Sequence, residues 1–246
     1  MGDISEKNLD KVATELRYGG YEVHTQVVDA TDKASVQAFA EKAASLGSVK
    51  YFIDTAGASP NQASPEHIVK LDLVSTAIAI DEFGKVIAEG GAGLIVSSQA
   101  GYMMNFPQKV EQQLAMTPTE ELADLPFVKK EAVANQGIAY IAAKRCNHLR
   151  VRTAAATTWG ERRARINTIS PGIIVTPLAY DEFNAAGENY QKMIEASPAR
   201  RVGTADEIAA AGAFLLGEEA GFITGIDLLM DGGVIAAISS GKYQIG

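Results

Sequence analysis

The feature that most constrains the fold is the alternation of amphipathic, helix-like segments with short segments that are almost entirely apolar. Apolar residues spaced three or four positions apart mark one face of a helix, whereas a short apolar run suits a strand buried on both faces. A chain that repeats this alternation folds as a parallel sheet with helices on both sides. We therefore predict a doubly wound, three-layer α/β fold in which residues 1–246 form a single domain.

The predicted elements follow one another in that order along the chain. Ser5 is positioned to cap the first helix, and the pattern Thr204-Ala-Asp-Glu207 is a capping box before a later one. The predicted helices cover residues 9–16, 32–46, 67–88, 137–159 and 208–216. The predicted strands cover residues 22–28, 49–53, 93–97, 165–169 and 226–230.

Two long stretches break this rhythm. Residues 102–136 contain three prolines and a cluster of acids, and residues 178–201 lie between a proline-containing loop and the last predicted helix. Long irregular segments in compact domains often cover a substrate. We predict that 102–136 is an insertion that walls the substrate pocket and that 178–201 is a substrate lid. The alternative for each is a solvated surface insertion.

Composition and charge exclude several classes of protein. With 22 Lys+Arg against 30 Asp+Glu the net charge is −8, which argues against nucleic-acid binding. One cysteine cannot build a disulfide framework, and the three histidines lack the spacing of metal ligands. Apolar runs stay well short of the ~18 residues of a membrane helix, and the start is too charged for a signal peptide. We expect a cytoplasmic protein without a metal, a nucleic-acid partner or a membrane partner.

Small and polar residues follow the predicted strands, where open α/β sheets bind their ligands. Small residues let a ligand approach the backbone, and hydroxyls and acids supply polar contacts. Turns favour the same residue types, so no single group is strong evidence. The prediction depends on finding such a group after each of several predicted strands. The groups are Asp29 and Ala30, then Thr55, Ala56 and Gly57, then Ser97 and Ser98, and finally residues 171–177.

Tyr140 and Lys144 are four residues apart on one predicted helix and therefore share a face. An ammonium beside a phenol favours the phenolate form, which makes the tyrosine a proton donor or acceptor usable near neutral pH. An ordinary helix-surface contact is the alternative for the pair alone. Ser98 ends a buried strand, where its hydroxyl can polarise a substrate oxygen.

Taken in order, these residues resemble a known pattern. Residues 55–57, Ser98, the run Tyr140-Ile-Ala-Ala-Lys144 and residues 170–176 follow the order of motifs in the short-chain dehydrogenase/reductase family. The tail of the chain is similar to that family's C-terminal end, so the resemblance covers about residues 3–237. It implies a Rossmann-like fold and hydride transfer between NAD, or NADP, and an alcohol or ketone. It also implies a homodimer or homotetramer.

The resemblance implies a role for each candidate residue. Tyr140 exchanges a proton with the substrate oxygen, Lys144 supports the phenolate and binds the nicotinamide ribose, and Ser98 hydrogen-bonds the substrate oxygen. The remaining cofactor contacts are implied for Thr55, Ala56 and Gly57 near the ribose, for Pro171, Gly172, Ile174 and Thr176 at the nicotinamide carboxamide, and for Asp29 and Ala30 near the adenine. Asp3 accepts a hydrogen bond from a ribose 2′-OH and repels a 2′-phosphate, which favours NAD over NADP.

The sequence departs from the family at its start. Family members open with a strand, a Gly-rich phosphate-binding turn and a helix, whereas this sequence begins near the acid that ends their second strand. We therefore interpret the fold as N-terminally truncated. Three explanations stay open: a coding start set too far downstream, a deliberate fragment, or a divergent member in which residues 23–28 pair directly with residues 49–53.

Two further departures concern the site. Asp72 stands where the family has an Asn that positions a water in a proton relay, so we count it among the catalytic residues; a solvated helix acid is the alternative. Asp54 and Thr55 replace an Asn pair. Two other functions stay open: a catalytically silent relative that serves as an interaction subunit, and a non-redox enzyme on the same fold.

The missing Gly-rich turn yields a first prediction. That turn holds a pyrophosphate at a helix N-terminus, so we expect the 246-residue chain to bind NAD only weakly. Isothermal titration calorimetry with NAD measures this affinity directly. A dissociation constant in the micromolar range contradicts the prediction.

Overall fold

The computed structural model describes residues 1–61, 63–129, 133 and 135–244, with side chains described throughout except at residue 178 and residues 181–187. Parallel strands alternate with helices, which confirms the predicted α/β class. The described strands are β1 (Gly2–Asp3), β2 (Gln26–Val27), β3 (Val49–Asp54), β4 (Ile87–Val96), β5 (Arg165–Pro171), β6 (Ile174–Val175), β7 (Gly203–Thr204) and β8 (Asp227–Met230).

The helices start where the sequence provides caps. Ser5 accepts a hydrogen bond from Asn8 N–H, and Thr204 with Glu207 forms the predicted capping box. None of the described helices is long and apolar enough to cross a membrane. The described helices are α1 (Glu6–Tyr18), α2 (Lys33–Leu46), α3 (Pro65–Ile68), α4 (Ser75–Val86), α5 (Gln108–Met116), α6 (Gln136–Ala156), α7 (Thr158–Glu161), α8 (Pro177–Ala196), α9 (Ala205–Leu216) and α10 (Val234–Ser239), with a π-helical turn at Val69–Val74 and 3-10 turns at Gln99–Tyr102, Thr119–Asp124 and Glu218–Ala220.

The main sheet contains four parallel strands in the order β3-β4-β5-β8, and β1 pairs separately with β2. The predicted strand over residues 22–28 is reduced to Gln26–Val27, because its partner β1 offers only two residues. Its predicted alternative pairing with residues 49–53 is wrong, since β2 pairs with β1. Within the described ranges no strand pairs with the free edge of β3, where Tyr51 and Ile53 are more than half exposed.

Aromatic rings fill the core between the main sheet and α4. Phe52 of β3 stacks on Phe83 of α4 with ring centroids 3.9 Å apart, and Trp159 of α7 lies 6.4 Å from Phe52. The indole N–H donates to the Ile80 carbonyl at 3.0 Å. Gly93 leaves room for the indole, because a Cβ there would lie 2.6 Å from the ring. This packing holds α4 and α7 against β3 and β4.

Residues 102–136 belong partly to a second core. Leu114 of α5 is fully buried in the same apolar cluster as Cys146 of α6. The interpretation of this stretch as irregular is therefore wrong over α5 and the 3-10 turn that follows, because apolar side chains hold both against α6. Residues 130–132 and 134 lie outside the described residues.

Residues 178–201 are mostly helical, not irregular as predicted. Thr176 caps α8 by accepting a hydrogen bond from Ala179 N–H, and a proline occupies the first turn. Asn184 and Gly187 have low helix propensity, so the sequence alone favours an interruption where the structure has a continuous 20-residue helix. The role of this segment as a lid stays a prediction.

Replacing Trp159 by Phe tests the aromatic core. The smaller ring leaves a cavity beside Gly93 and removes the donor to the Ile80 carbonyl, so we expect the free energy of unfolding to fall by about 2 kcal/mol. Urea denaturation followed by circular dichroism measures the change. Phe222→Leu is the control, because Phe222 is fully exposed and its replacement should change stability by less than ~0.5 kcal/mol. Equal stability of the two variants would contradict this account of the core.

Candidate active site

Eleven of the predicted site residues line one cavity of about 630 Å³ at the carboxyl ends of β3, β4 and β5. Ligands of open parallel sheets bind at this edge. All four predicted catalytic residues are among the eleven, so side chains from three separate parts of the sequence meet here. The eleven are Thr55, Ala56, Gly57, Asp72, Ser98, Tyr140, Lys144, Pro171, Gly172, Ile174 and Thr176.

Three predicted cofactor residues, Asp3, Asp29 and Ala30, do not line this cavity. They lie at or just after the carboxyl ends of β1 and β2, where Asp3 Oδ1 accepts a hydrogen bond from Ser5 N–H at 2.7 Å. Asp29 accepts hydrogen bonds from the hydroxyl and the N–H of Thr31, and these bonds lower the pKa of its carboxyl. Asp29 is therefore a carboxylate at neutral pH. The roles of these three residues toward a dinucleotide stay predictions.

Ser98 lies two residues after the end of β4 and caps the 3-10 turn Gln99–Tyr102. Its Oγ accepts a hydrogen bond from Ala100 N–H at 3.1 Å. Because the oxygen is the acceptor in that bond, the hydroxyl hydrogen can donate to an oxygen in the cavity. The turn thus orients Ser98 as a donor at the strand end.

Tyr140 and Lys144 share the face of α6 that borders the cavity. The Lys144 Nζ lies 5.1 Å from the centroid of the Tyr140 ring. Lys144 is buried, and Ser97 Oγ donates to its backbone carbonyl at 3.0 Å. The pair is therefore part of the cavity wall, which makes an ordinary helix-surface contact the wrong alternative.

Asp72 forms a buried ion pair with Lys144. The distance from Lys144 Nζ to Asp72 Oδ1 is 2.9 Å, and the Asp72 side chain is fully buried in the π-helical turn. Ala58 N–H donates to both carboxylate oxygens, at 3.3 and 3.2 Å. A Cβ on Gly57 would lie 2.7 Å from Asp72 Oδ1, so the chain passes close over the pair. The alternative of a solvated helix acid is wrong, because burial and pairing set the environment of Asp72.

The charges around this ion pair are linked. Burial opposes the charge of Lys144, but Tyr140, Asp72 and Asp54 outweigh it, so the pKa of Lys144 is raised above its ordinary value. Burial likewise raises the pKa of Asp54 to about 6, although Ala56 N–H and Lys144 favour its charged form. The pKa of the Asp54 carboxyl therefore lies closer to neutral pH than that of an ordinary aspartate. The sequence identified Asp54 only as one of two residues that replace the family's Asn pair. An acid at the end of a predicted strand could also have indicated a residue near the site.

Apolar side chains complete the cavity wall, and sequence reasoning missed them. They come from positions whose spacing resembles ordinary core packing, and they are Met103, Ile141, Tyr190 and Met193. Met103 belongs to residues 102–136, and the last two belong to α8. These contacts are compatible with the pocket-wall and lid predictions, which stay predictions.

Two polar atoms in the wall suit a polar ligand. Among the described residues, Ser59 Oγ and Gln99 Oε1 are buried without a hydrogen-bond partner, and both residues line the cavity. Gly172 also lines it. The described side chains contain no group of three His, Cys, Asp or Glu that could hold a metal ion. The lining also includes Ser98, Tyr140 and Lys144, whose hydroxyl and ammonium groups suit a polar organic ligand.

Removing Asp72 tests the ion pair. In Asp72→Ala the Lys144 ammonium stays buried without its carboxylate, and we expect the free energy of unfolding to fall by roughly 3 kcal/mol. Urea denaturation at neutral pH measures the loss. Asp10→Ala removes an exposed acid of α1 and should cost less than ~0.5 kcal/mol. If the free energy of unfolding fell by less than ~0.5 kcal/mol in both variants, the ion pair would not contribute the expected stability.

Comparison with known proteins identifies relatives of the whole chain. A family model described as enoyl-(acyl carrier protein) reductase matches residues 1–235. The chain is 40% identical over 242 residues to short-chain dehydrogenase/reductase bsc3 of Alternaria brassicicola, covering 97% of this chain and 88% of that protein. It is 30% identical over 243 residues to D-threitol dehydrogenase of Mycolicibacterium smegmatis, covering 94% and 80%.

Solved structures share the fold. The crystal structure of gox2181 matches with a TM-score of 0.76 at 23% identity, covering 96% of this chain and 84% of that one. A 7α-hydroxysteroid dehydrogenase complexed with NADH and 7-oxo glycochenodeoxycholic acid matches with a TM-score of 0.73 at 24% identity, covering 94% and 82%. At these identities the solved structures show only that the fold is shared. The family assignment rests on the family model and on the relatives matched by sequence. The chain belongs to the short-chain dehydrogenase/reductase family.

Proposed function

We propose that this chain transfers a hydride between NAD(P) and a hydroxyl or carbonyl substrate, with Ser98, Tyr140 and Lys144 as its catalytic residues. Its family consists of NAD(P)-dependent dehydrogenases and reductases, which supports the reaction class. The observation that carries the mechanism is that all three side chains line one cavity, with the Lys144 ammonium 5.1 Å from the Tyr140 ring centroid. Two of the three come from one helix face and the third from the end of β4.

In this proposal Tyr140 gives its proton to the substrate oxygen during reduction and takes it back during oxidation. Lys144 stabilises the phenolate, because its charge lies beside the ring and burial reduces screening by water. Ser98 donates a hydrogen bond to the same substrate oxygen as negative charge develops on it. Asp72 accepts from Lys144 and keeps its Nζ at the cavity wall. Its assignment to the proton relay rests on the resemblance.

The residues that would hold the nicotinamide end of the cofactor also border the cavity. Thr55, Ala56 and Gly57 offer a small-residue edge to a ribose, and Lys144 offers an ammonium to its hydroxyls. A carboxamide would meet backbone and hydroxyl groups of four residues at or after the end of β5, namely Pro171, Gly172, Ile174 and Thr176. NAD(P) supplies or accepts the hydride when it is bound. We assign the adenosine end to Asp29 and Ala30.

We favour NAD over NADP because Asp3 ends β1 as an exposed acid, which would repel a 2′-phosphate. The substrate is proposed to be a small alcohol or ketone, and the relatives named as sugar-alcohol dehydrogenases support that class. We further propose a cytoplasmic homodimer or homotetramer.

A second candidate function is an interaction subunit without catalysis. The observation that favours it is the free edge of β3, where Tyr51 and Ile53 are exposed. Unpaired strand edges accept further strands, which suits a binding surface. Retention of Ser98, Tyr140 and Lys144 together favours the enzyme, since a silent relative has no need of all three.

Replacing Tyr140 by Phe tests the proposed acid–base residue. The ring is kept while the transferable proton is lost, so we expect turnover to fall by roughly 10²- to 10⁴-fold. The near-ultraviolet absorbance of NADH or NADPH follows the reaction with a panel of ketones and sugar alcohols. Tyr18→Phe is the matched control, because Tyr18 is almost fully exposed on α1 and should leave turnover unchanged. Normal turnover in Tyr140→Phe would remove the proposed mechanism. No turnover in the unaltered chain, at NAD concentrations that saturate even weak binding, would favour the interaction subunit.

A further inference from the structure

Behind Ser98, outside the cavity lining, four polar side chains form a continuous hydrogen-bonded chain. Tyr102 Oη donates to Asp227 Oδ2 at 2.7 Å. Ser170 Oγ donates to Asp227 Oδ1 at 2.8 Å, and His148 Nε2 lies 2.7 Å from Ser170 Oγ. Four different elements supply these residues: the 3-10 turn after Ser98, β8, β5 and α6. We call this set the Tyr102–His148 network.

The protonation state of the network follows from its partners. The hydroxyl hydrogen of Ser170 is directed at the Asp227 carboxylate, so the Ser170 oxygen must accept from His148 Nε2–H. His148 is then the neutral Nε2–H tautomer. Burial lowers the pKa of His148 to about 4, against the opposing attraction of Asp227, so the ring is uncharged at neutral pH. Among the described residues, His148 Nδ1 is buried without a partner, so a proton on Nδ1 would have no acceptor.

The network contains Ser, His and Asp, but its geometry differs from that of a hydrolytic triad. In a triad the carboxylate accepts from one imidazole nitrogen while the other faces the serine. Here Asp227 and Ser170 both lie on the Nε2 side, with Asp227 Oδ1 3.4 Å from His148 Nε2. Ser170 is fully buried, so its oxygen cannot reach a substrate. The network is therefore suited to holding elements together.

The elements that it holds are those that carry the proposed catalytic residues. His148 lies four residues after Lys144, so Tyr140, Lys144 and His148 follow one another on the same face of α6. The turn after Ser98 rests on this helix, since a Cβ on Gly101 would lie 2.5 Å from His148 Cε1. The Tyr102 ring lies 5.1 Å from the His148 ring.

We propose that the Tyr102–His148 network positions Ser98 relative to Tyr140 and Lys144, and that Tyr102, His148, Ser170 and Asp227 are positioning residues of the reaction. This inference rests on the proposed function. The Asp227 side chain is only 7% exposed, and Tyr102 and Ser170 supply two donors to it. Loss of either donor leaves a buried carboxylate with fewer partners, and the turn then relaxes away from α6. Displacement of Ser98 weakens its hydrogen bond to the substrate oxygen and lowers turnover.

A double-mutant cycle separates positioning from general stability. Tyr102→Phe removes only the hydroxyl of a partly exposed ring, and we expect a roughly tenfold lower kcat with KM little changed. In the Ser98→Ala background the same replacement should have no further effect on kcat, because the group that it positions is gone. The proposal would be overturned if Tyr102→Phe lowered kcat by the same factor with and without Ser98→Ala. It would also be overturned if the replacement left kcat unchanged in both. Tyr21→Phe is the matched control, since Tyr21 is mainly exposed beside α1.

Rescue at His148 gives a second kinetic readout. His148→Gln keeps an N–H donor for the Ser170 oxygen, whereas His148→Leu removes it. We expect kcat to be largely kept in the first variant and to fall roughly tenfold in the second. Equal losses in both variants would mean that packing, not the hydrogen bond, matters. If Ser98→Ala itself leaves turnover unchanged, the proposed function fails. Nitrogen-15 NMR then tests the Tyr102–His148 network independently of turnover.

Nitrogen-15 NMR of the three histidines tests the network without any turnover. We expect His148, assigned by its loss in His148→Gln, to stay a neutral Nε2–H tautomer down to about pH 5. In Tyr102→Phe the amide resonances of Ser98 and Ala100 should shift, whereas in Tyr21→Phe they should not. An Nδ1–H tautomer, titration near the ordinary pKa of ~6.5, or unmoved Ser98 and Ala100 amides in Tyr102→Phe would each overturn the proposal.

Discussion

The buried ion pair between Lys144 and Asp72 is the contact on which the candidate site depends. It joins α6 to the π-helical turn, and Ala58 N–H binds the same carboxylate, so the loop after β3 is held as well. Three walls of the cavity therefore meet at one pair of charges. A buried pair of this kind is costly to break, because either partner left alone is an uncompensated charge in a low-dielectric region. The proposed chemistry depends on this ion pair, because it holds the Lys144 ammonium beside the Tyr140 ring.

Local patterns predicted the features that local physics controls. The spacing of Tyr140 and Lys144 placed both on one helix face, and the polar residues at Ser5 and Thr204 predicted helix starts that the structure confirms. The order of strands and helices predicted the fold class. Residues at successive strand ends predicted a shared edge, because parallel strands bring their carboxyl ends together.

Features that depend on distant partners could not be predicted in this way. The burial of Asp72 is set by Lys144 and by the loop after β3, which no spacing within 70–74 indicates. The extent of β2 is set by the two residues that β1 offers it. Helix α8 persists over residues of low helix propensity, where the sequence alone favours an interruption. The Tyr102–His148 network joins residues up to 125 positions apart, and its members look like isolated polar residues in the sequence.

One consequence of the aromatic core concerns how the molecule can be observed. The chain has a single tryptophan, and Trp159 is wholly enclosed between β4 and α4, in space left by Gly93 and Gly84. All indole emission therefore originates from one buried site, in the helix layer that contains α4. A change in its wavelength or intensity would report loosening of that layer, and ligands entering at the strand ends would leave it largely undisturbed. The protein thus carries its own optical probe of the scaffold, separate from the place where chemistry is proposed.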